Sequence, residues 1–327
     1  MAHRPQPTHV APVVMAKESM SELHVVIGSG NVGRILASKL ALADKRVLLL
    51  SRSQAISAIQ GVQHAPADAS SLTSLISVAP KAGYIYNCVN PPRYHKWDVD
   101  WPPISRAIHE FATKTGAVLV TSSNLYGYGP HAGALRESLP LKAEWKNGRV
   151  RAEMWLEAKA LHDTGKIRAA EVRASDYICA SDQSRMGDRV VPNLKNGKPI
   201  QLLGALDQLH TWTDPEDVAE LMKVVATNER AWGKPWHVPS NEPKTQLAVV
   251  MDIAKELGVR DTKVSSVPTP IELLLGLFNP TLRELRKASY QFDRPFIMSD
   301  EKARTTFGLK PKPWDRIIKD LVAAYNL

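Results

Sequence analysis

No stretch constrains the chain as tightly as residues 23–37, where a short apolar run (25–27) meets three glycines and then a helical pattern. The glycines stand in Gly28-Ser29-Gly30-Asn31-Val32-Gly33, a G-x-G-x-x-G. Behind them Val32, Ile35, Leu36, Leu40 and Leu42 recur at roughly helical spacing. Strand, tight turn and helix in that order are the context in which this motif binds a dinucleotide. Gly28 lets the chain turn sharply, and Gly30 has no Cβ to keep a diphosphate from the backbone. Gly33 lets the helix pack on the strand. The helix start adds free N–H groups and a partial positive charge. Gly28, Ser29, Gly30, Asn31, Val32 and Gly33 are therefore candidate cofactor-binding residues. The plainer alternative is a glycine turn that only joins two elements.

Strand–helix alternation continues to about residue 175 and argues an α/β fold with a doubly wound parallel sheet of Rossmann type. Residues 46–50 read as the second strand. In NAD-binding units an acid at the end of this strand holds the ribose hydroxyls. Here the position reads Ser51-Arg52-Ser53, and Arg52 can pair with a 2′-phosphate. NADP is thus favoured over NAD. Residues 62–65 are a third strand. Asp68 beyond them either meets an adenine or caps the helix around 72–76. Residues 84–87 form a fourth strand running into Cys88-Val89-Asn90-Pro91-Pro92, where prolines end it. Ligands of open α/β sheets bind at this carboxyl end, so Asn90 joins the cofactor set. A helix at 104–115, a strand at 117–120, a helix at 149–161 and a strand at 167–172 complete the alternation.

Beyond residue 180 the pattern loosens into a smaller α+β portion. The division expected is an extension at 1–21, a dinucleotide-binding domain at 22–180, and a mainly substrate-binding domain at 181–327. Segments around 205–240 are free to rejoin the first domain. Asp214 as N-cap with Pro215 after it opens a helix. Residues 236–238 read as a strand and 245–257 as an amphipathic helix. The apolar stretch 270–277 runs on into 281–288. It is short and broken by Asn279-Pro280, so it reads as a lid or subunit-contact helix rather than a membrane-surface one.

With 327 residues and ordinary apolar content (44%), the chain can bury one or two cores. No apolar run approaches the ~20 residues of a membrane span. The net charge of +9 comes from scattered residues without a basic block, which favours small anionic ligands over nucleic acid. The two cysteines, Cys88 and Cys179, sit in or at the end of predicted core strands and read as free thiols in a reducing cytoplasm, a disulfide between them being the alternative. Residues 1–21 lack the apolar core of a signal peptide and read as a disordered extension, with Met15 and Met20 as alternative starts. The ten histidines show no metal-ligand spacing, and His210 and His237 read as structural.

Further along stand Thr121-Ser122-Ser123 with Tyr126-Gly127, then Arg173-Ala174-Ser175-Asp176, then His210-Thr211-Trp212-Thr213-Asp214-Pro215-Glu216-Asp217. In this order, behind the glycine turn, they resemble the extended short-chain dehydrogenase/reductase superfamily in its NAD-dependent epimerase/dehydratase branch. The resemblance covers about residues 22–325, and the phrases at 86–92 and 290–292 look like an atypical subgroup. It implies a Rossmann domain, a smaller C-terminal substrate domain and a nicotinamide cofactor. It also implies carbonyl/alcohol chemistry on a small molecule, often a sugar nucleotide, with a homodimer allowed.

The resemblance also implies a catalytic set. Ser122 takes the place of the residue that hydrogen-bonds the reacting oxygen. The family's Tyr-x-x-x-Lys, with a Glu four residues on, aligns by spacing with Trp145-x-x-x-Arg149 and Glu153. Arg149 then stands at the nicotinamide ribose, and Ser123, Trp145 and Arg173 line the substrate pocket. An indole cannot exchange a proton near neutral pH. Tyr126, Lys142, Lys146 and Tyr94 are candidate replacements. The glycine turn is one residue shorter than the family's usual G-x-x-G-x-x-G. Two readings follow: an atypical NAD(P)-dependent oxidoreductase or epimerase/dehydratase, or a cofactor-binding sensor or scaffold without turnover.

Overall fold

The structure, a computed structural model, describes residues 22–53 and 57–326; the extension expected at 1–21 lies outside them. Among the described residues the centre is a seven-stranded parallel sheet. Its strands are β1 (Leu23–Ile27), β2 (Arg46–Ser51), β3 (Val62–Pro66), β4 (Ala82–Asn87), β5 (Val118–Asn124), β6 (Arg168–Ala174) and β7 (Pro235–His237). Their spatial order is β7-β6-β5-β4-β1-β2-β3. The order reverses beside β1, so the crevice between the carboxyl ends of β1 and β4 is the ligand-binding place of such a sheet. β1, β2 and β4 read as continuous apolar runs because both faces are covered.

One face of the sheet carries α1 (Asn31–Leu42), and the other carries α2 (Leu72–Val78), α3 (Trp97–Thr115) and α4 (Lys146–Asp163). The helix α5 (Pro215–Thr227) packs beside α1 in the same apolar cluster, through Val218, Leu221, Met222 and Val225. Its start is as expected: the Asp214 carboxylate accepts from the Glu216 N–H at 2.6 Å, with Pro215 in the first turn. A further core gathers Ile178, Met186, Val191, Ile200 and Trp212. It packs them with α6 (Gln246–Glu256) and the late helix at Trp314–Ala323.

Two elements differ from expectation in ways that shape the site. α3 begins at Trp97, not at 104, and takes Pro102 and Pro103 inside it. An internal proline costs about 3 kcal/mol or more. Trp97 and Trp101, one turn apart, are buried with Val150 and Met154 of α4, and that burial offsets the cost. β5 runs four residues past Val120, paired in register with β6 as far as Asn124 opposite Ala174. The extension carries Ser122 to the end of the crevice.

Candidate active site

The glycine turn has the shape its sequence requires. Gly28 has φ 108°, a conformation open to glycine, and a Cβ there would lie 2.6 Å from the Cys88 carbonyl. A Cβ on Gly33 would fall 1.9 Å from the Gly28 oxygen, so helix and strand touch because Gly33 is bare. At Gly30 a Cβ would meet nothing within 4 Å. That open space faces the first turn of α1, where Gly30 is the N-cap without a side-chain cap and no acid follows. The uncapped N–H groups of Asn31, Val32 and Gly33 suit a diphosphate. Val32 offers only its backbone, since its side chain is in the core. Half-buried Ser29 and exposed Asn31 rim the turn, and the Asn31 amide donates to Cys179 Sγ at 3.4 Å.

At the end of β2 the Ser51 hydroxyl donates to the Ser53 carbonyl (2.7 Å) and shares a hydrogen bond with His64 (2.9 Å). Arg52 is exposed there. Asp68 accepts from both the N–H (2.9 Å) and the hydroxyl (2.7 Å) of Ser70, bonds that hold its carboxyl below the usual range, with Arg52 adding to the effect. The cap of α2 is Ser71, not Asp68. Asp68 instead shapes the turn before it, within reach of the Arg52 charge.

The reaction end corrects the catalytic alignment. On α4 the buried residues Asn147, Gly148, Val150, Arg151, Met154 and Trp155 mark the inner face, while Arg149 and Glu153 are exposed. The match of Arg149 and Glu153 to the family's Lys and Glu spacing therefore picks out the solvent side. The inner polar residues four apart are Asn147 and Arg151. The Arg151 guanidinium donates to the Ser122 carbonyl at 3.0 Å and stacks 4.7 Å from the Trp101 ring. Burial pulls its pKa down, with Glu171 opposing. Its Nε and one Nη have no partner among the described residues, as does Asn147 Oδ1. Orphaned donors on a buried cation beside Ser122 fit the hydroxyls of a nicotinamide ribose.

The other candidate donors are engaged or walled in. Lys146 Nζ donates to the His95 carbonyl (2.6 Å) and pairs with Asp98 (3.1 Å), and Lys142 is exposed. Tyr126 packs within an aromatic wall, 5.1 Å from Trp145, 6.2 Å from Trp97 and 6.5 Å from Tyr94, and burial lifts its pKa well above the ordinary value. Trp145 precedes α4 and closes this wall. The hydroxyl that meets Ser122 belongs to Tyr177, 3.5 Å from Ser122 Oγ. The sequence reading missed it. Its signal was its position directly after Arg173-Ala174-Ser175-Asp176, where the chain leaves β6 at the carboxyl end of the sheet.

Neighbouring polar groups are fixed. Ser123 points to the opposite side of β5 from Ser122 and is buried. Arg173 is 3% exposed and committed elsewhere: it donates to Glu171 (2.6 Å) and to the Tyr128 hydroxyl (2.6 Å). That hydroxyl also hydrogen-bonds His237 (2.8 Å), so Arg173 braces β6 to β7 rather than lining a pocket. Asn90 donates to Gln183 at 2.8 Å, bridging the loop after β4 to the segment beyond Tyr177. Asp176 accepts from His210 at 3.0 Å. Burial pushes Asp176 up, but its bond and charge pairing with His210, then Arg185, hold it below the usual carboxylate range. His210 stacks 4.3 Å from Phe292, which Arg185 covers at 3.5 Å. Both cysteines are free and half-buried, and burial pushes their thiols up to about 12. No group of His, Cys, Asp and Glu able to hold a metal ion occurs among the described residues, and none of their helices is long and apolar enough to cross a membrane.

The parallel sheet with the glycine turn at its switch point defines a Rossmann-type α/β fold. The chain belongs to the NAD dependent epimerase/dehydratase family, whose model matches residues 25–238. Solved structures similar in fold include a dTDP-glucose 4,6-dehydratase from Bacillus anthracis in complex with NAD. It is 17% identical, with 94% of this chain and 97% of that chain covered, at a TM-score of 0.74. An epimerase from Methanothermobacter thermautotrophicus is 15% identical, with 94% and 92% covered and a TM-score of 0.77. The UDP-glucose 4-epimerase of Thermotoga maritima, solved with UDP-glucose, is 12% identical, with 93% and 98% covered and a TM-score of 0.75. No curated relative matches the sequence.

Proposed function

We propose that the protein is an NADP-dependent oxidoreductase or epimerase/dehydratase acting on a carbonyl or alcohol of a small molecule, of sugar-nucleotide type. The observation that carries this is the set of unpaired groups around one crevice: open space at Gly30, an uncapped α1, and the orphaned donors of Arg151 beside Ser122. The N–H groups of α1 hold the diphosphate, Arg52 and Ser51 meet the 2′-phosphate, and Asp68 and Asn90 flank the nucleotide. When bound, the nicotinamide supplies or accepts a hydride. Ser122 orients the reacting oxygen by a hydrogen bond, and Arg151 takes the role of the family's lysine at the ribose. Tyr126 and Trp145 wall the substrate side and exclude water. The two-domain division, 22–180 with a returning segment and a mainly C-terminal substrate portion, fits β7 and α5 rejoining the first sheet.

A non-catalytic sensor or scaffold is the second reading, favoured by Asn147 at the inner-face position where the family carries its tyrosine. The experiment that separates the two follows NADPH absorbance across a panel of carbonyl compounds and, because an epimerase or dehydratase regenerates its cofactor, follows conversion of sugar nucleotides directly by NMR, alongside titrations of NADPH and NADH. Turnover with any panel member supports the enzyme. Tight NADPH binding with no turnover supports the sensor, and binding of neither cofactor overturns both.

A further inference from the structure

The family's proton donor is missing from α4, and the candidates on nearby elements are unsuited. Asn147 carries no titratable group, Tyr126 is walled in by Trp97, Tyr94 and Trp145, and Lys146 is spent on His95 and Asp98. One phenol reaches the serine that would hold the reacting oxygen. Tyr177 lies on a two-residue strand, Asp176–Tyr177, that pairs in parallel with Trp212–Thr213. That pairing fixes the backbone, and the side chain reaches back to Ser122 Oγ at 3.5 Å. Contacts of this kind are often long before substrate arrives and tighten in the complex. The groups facing the phenol are Ser122 from β5, Cys88 after β4, Arg151 from α4 and Cys179 beyond it. Burial, the largest influence, pushes the phenol up to about 12; the Ser122 hydrogen bond and Arg151 work against that rise, Arg151 being the cation that favours the tyrosinate as a lysine would.

Resting on the functional reading above, we propose that Tyr177 is the acid/base residue of this site, with Arg151 as the cation that poises it. The catalytic tyrosine has moved from the helix after β5 to the segment after β6, while its serine partner has stayed in place. In the reducing direction the carbonyl carbon takes a hydride, a nicotinamide dinucleotide being the reductant that is oxidised. The C=O π pair becomes an O–H bond as the phenol O–H breaks. The tyrosinate is then reprotonated from solvent, and oxidation runs the same steps backward. Ser122 donates to the oxygen throughout. Cys88 and Cys179, with thiols neutral near pH 7, leave the field around the phenol to Arg151.

The test is a spectrophotometric titration of tyrosine ionisation in the full chain, free and saturated with NADP+, whose binding is measured in parallel. The oxidised nicotinamide carries a positive charge. It should lower the ionisation of one tyrosine by about one pH unit or more, a tenfold change in proton affinity. That component should vanish in Tyr177→Phe while NADP+ affinity stays within about threefold. It should persist in Tyr126→Phe, and Arg151→Lys should retain it where Arg151→Met does not. On any carbonyl the wild type reduces, Tyr177→Phe should cut kcat by about 10²–10⁴ with KM little changed. The proposal is overturned if the shifted component survives in Tyr177→Phe or disappears in Tyr126→Phe. It is also overturned if Tyr177→Phe abolishes NADP+ binding, which marks a structural tyrosine. If the wild type binds neither NADP+ nor NAD+, the functional reading itself fails, and the parallel binding measurement identifies that case.

Discussion

Ser122 and Tyr177 are 55 positions apart in the chain, yet their hydroxyls stand 3.5 Å from each other at the carboxyl end of the sheet. The β5–β6 ladder sets Ser122 opposite Val172, and five residues later the short strand Asp176–Tyr177, paired with Trp212–Thr213, brings the phenol to it. In the function proposed above, Ser122 holds an oxygen on its way to bearing charge. With a substrate in hand, Ser122→Ala should lower kcat by about 10²–10³ at nearly constant KM. Trp145→Phe, which changes only the wall, should move KM more than kcat. Steady-state kinetics on the two variants check this, and the reverse pattern places the chemistry elsewhere.

The bare glycines separate binding from folding. Gly30→Val points into open space, so it should keep the melting temperature within a few degrees and abolish cofactor binding. Gly33→Ala forces a methyl to 1.9 Å from the Gly28 oxygen and should destabilise the fold by ~2 kcal/mol or more. Calorimetry and cofactor titration on both variants give the answer. Normal affinity in a folded Gly30→Val rules out this cradle.

Arg52 stands exposed where an acid would hold ribose hydroxyls. A charged hydrogen bond to phosphate contributes roughly 1.5–3 kcal/mol, or about ten- to a hundredfold in affinity. NADP(H) should therefore bind more tightly than NAD(H), and Arg52→Ala should remove most of that difference while leaving NAD(H) affinity unchanged. Equal affinities in the wild type would refute the 2′-phosphate role.

Acid should weaken the fold from within. Burial pulls His24 and His109 down to about 4 and His237 to about 3. Unfolded, each titrates near 6.5. The folded values are the lower ones, so the stability tied to these neutral rings is fully present above about pH 6.5. It drains away as pH falls toward 4, when the unfolded chain binds protons the folded one refuses. The melting temperature should drop steadily across that window. His24→Gln, which loses the 2.9 Å bond to Tyr86, should start lower at pH 7 and show a shallower slope. A flat profile in the wild type would contradict the burial of these rings as neutral groups.

What the sequence disclosed and what it hid divide along one line. The glycine turn, the Asp214-Pro215 helix start and the parallel alternation were readable because each is a local pattern with a local cause. Arg151 was hidden by a coincidence of period: Arg149 and Glu153 repeat at four residues just as Asn147 and Arg151 do, and only packing says which row faces inward. The true start of α3 was hidden by Pro102 and Pro103, which argue against a helix until the burial of Trp97 and Trp101 is counted. Tyr177 was hidden because its partner is set by strand register, which no local spacing encodes.

The backbone N–H of Lys312 donates to both carboxylate oxygens of Asp217, at 3.0 and 3.1 Å, and its Nζ reaches Glu216 and Asp320 at 2.9 and 2.6 Å. One residue near the end of the chain is thereby fastened to the first turn of α5 and to the last long helix. α5 lies against α1, whose first turn opens on the cradle. Lys312 and Asp320 line one cleft with Asn31 of that first turn, so occupancy of the cradle should slow amide exchange around Lys312 and Asp320. Amide exchange in the last helix would then report on the glycine turn from the far wall of the same cleft, with no label on the nucleotide or the reacting centre.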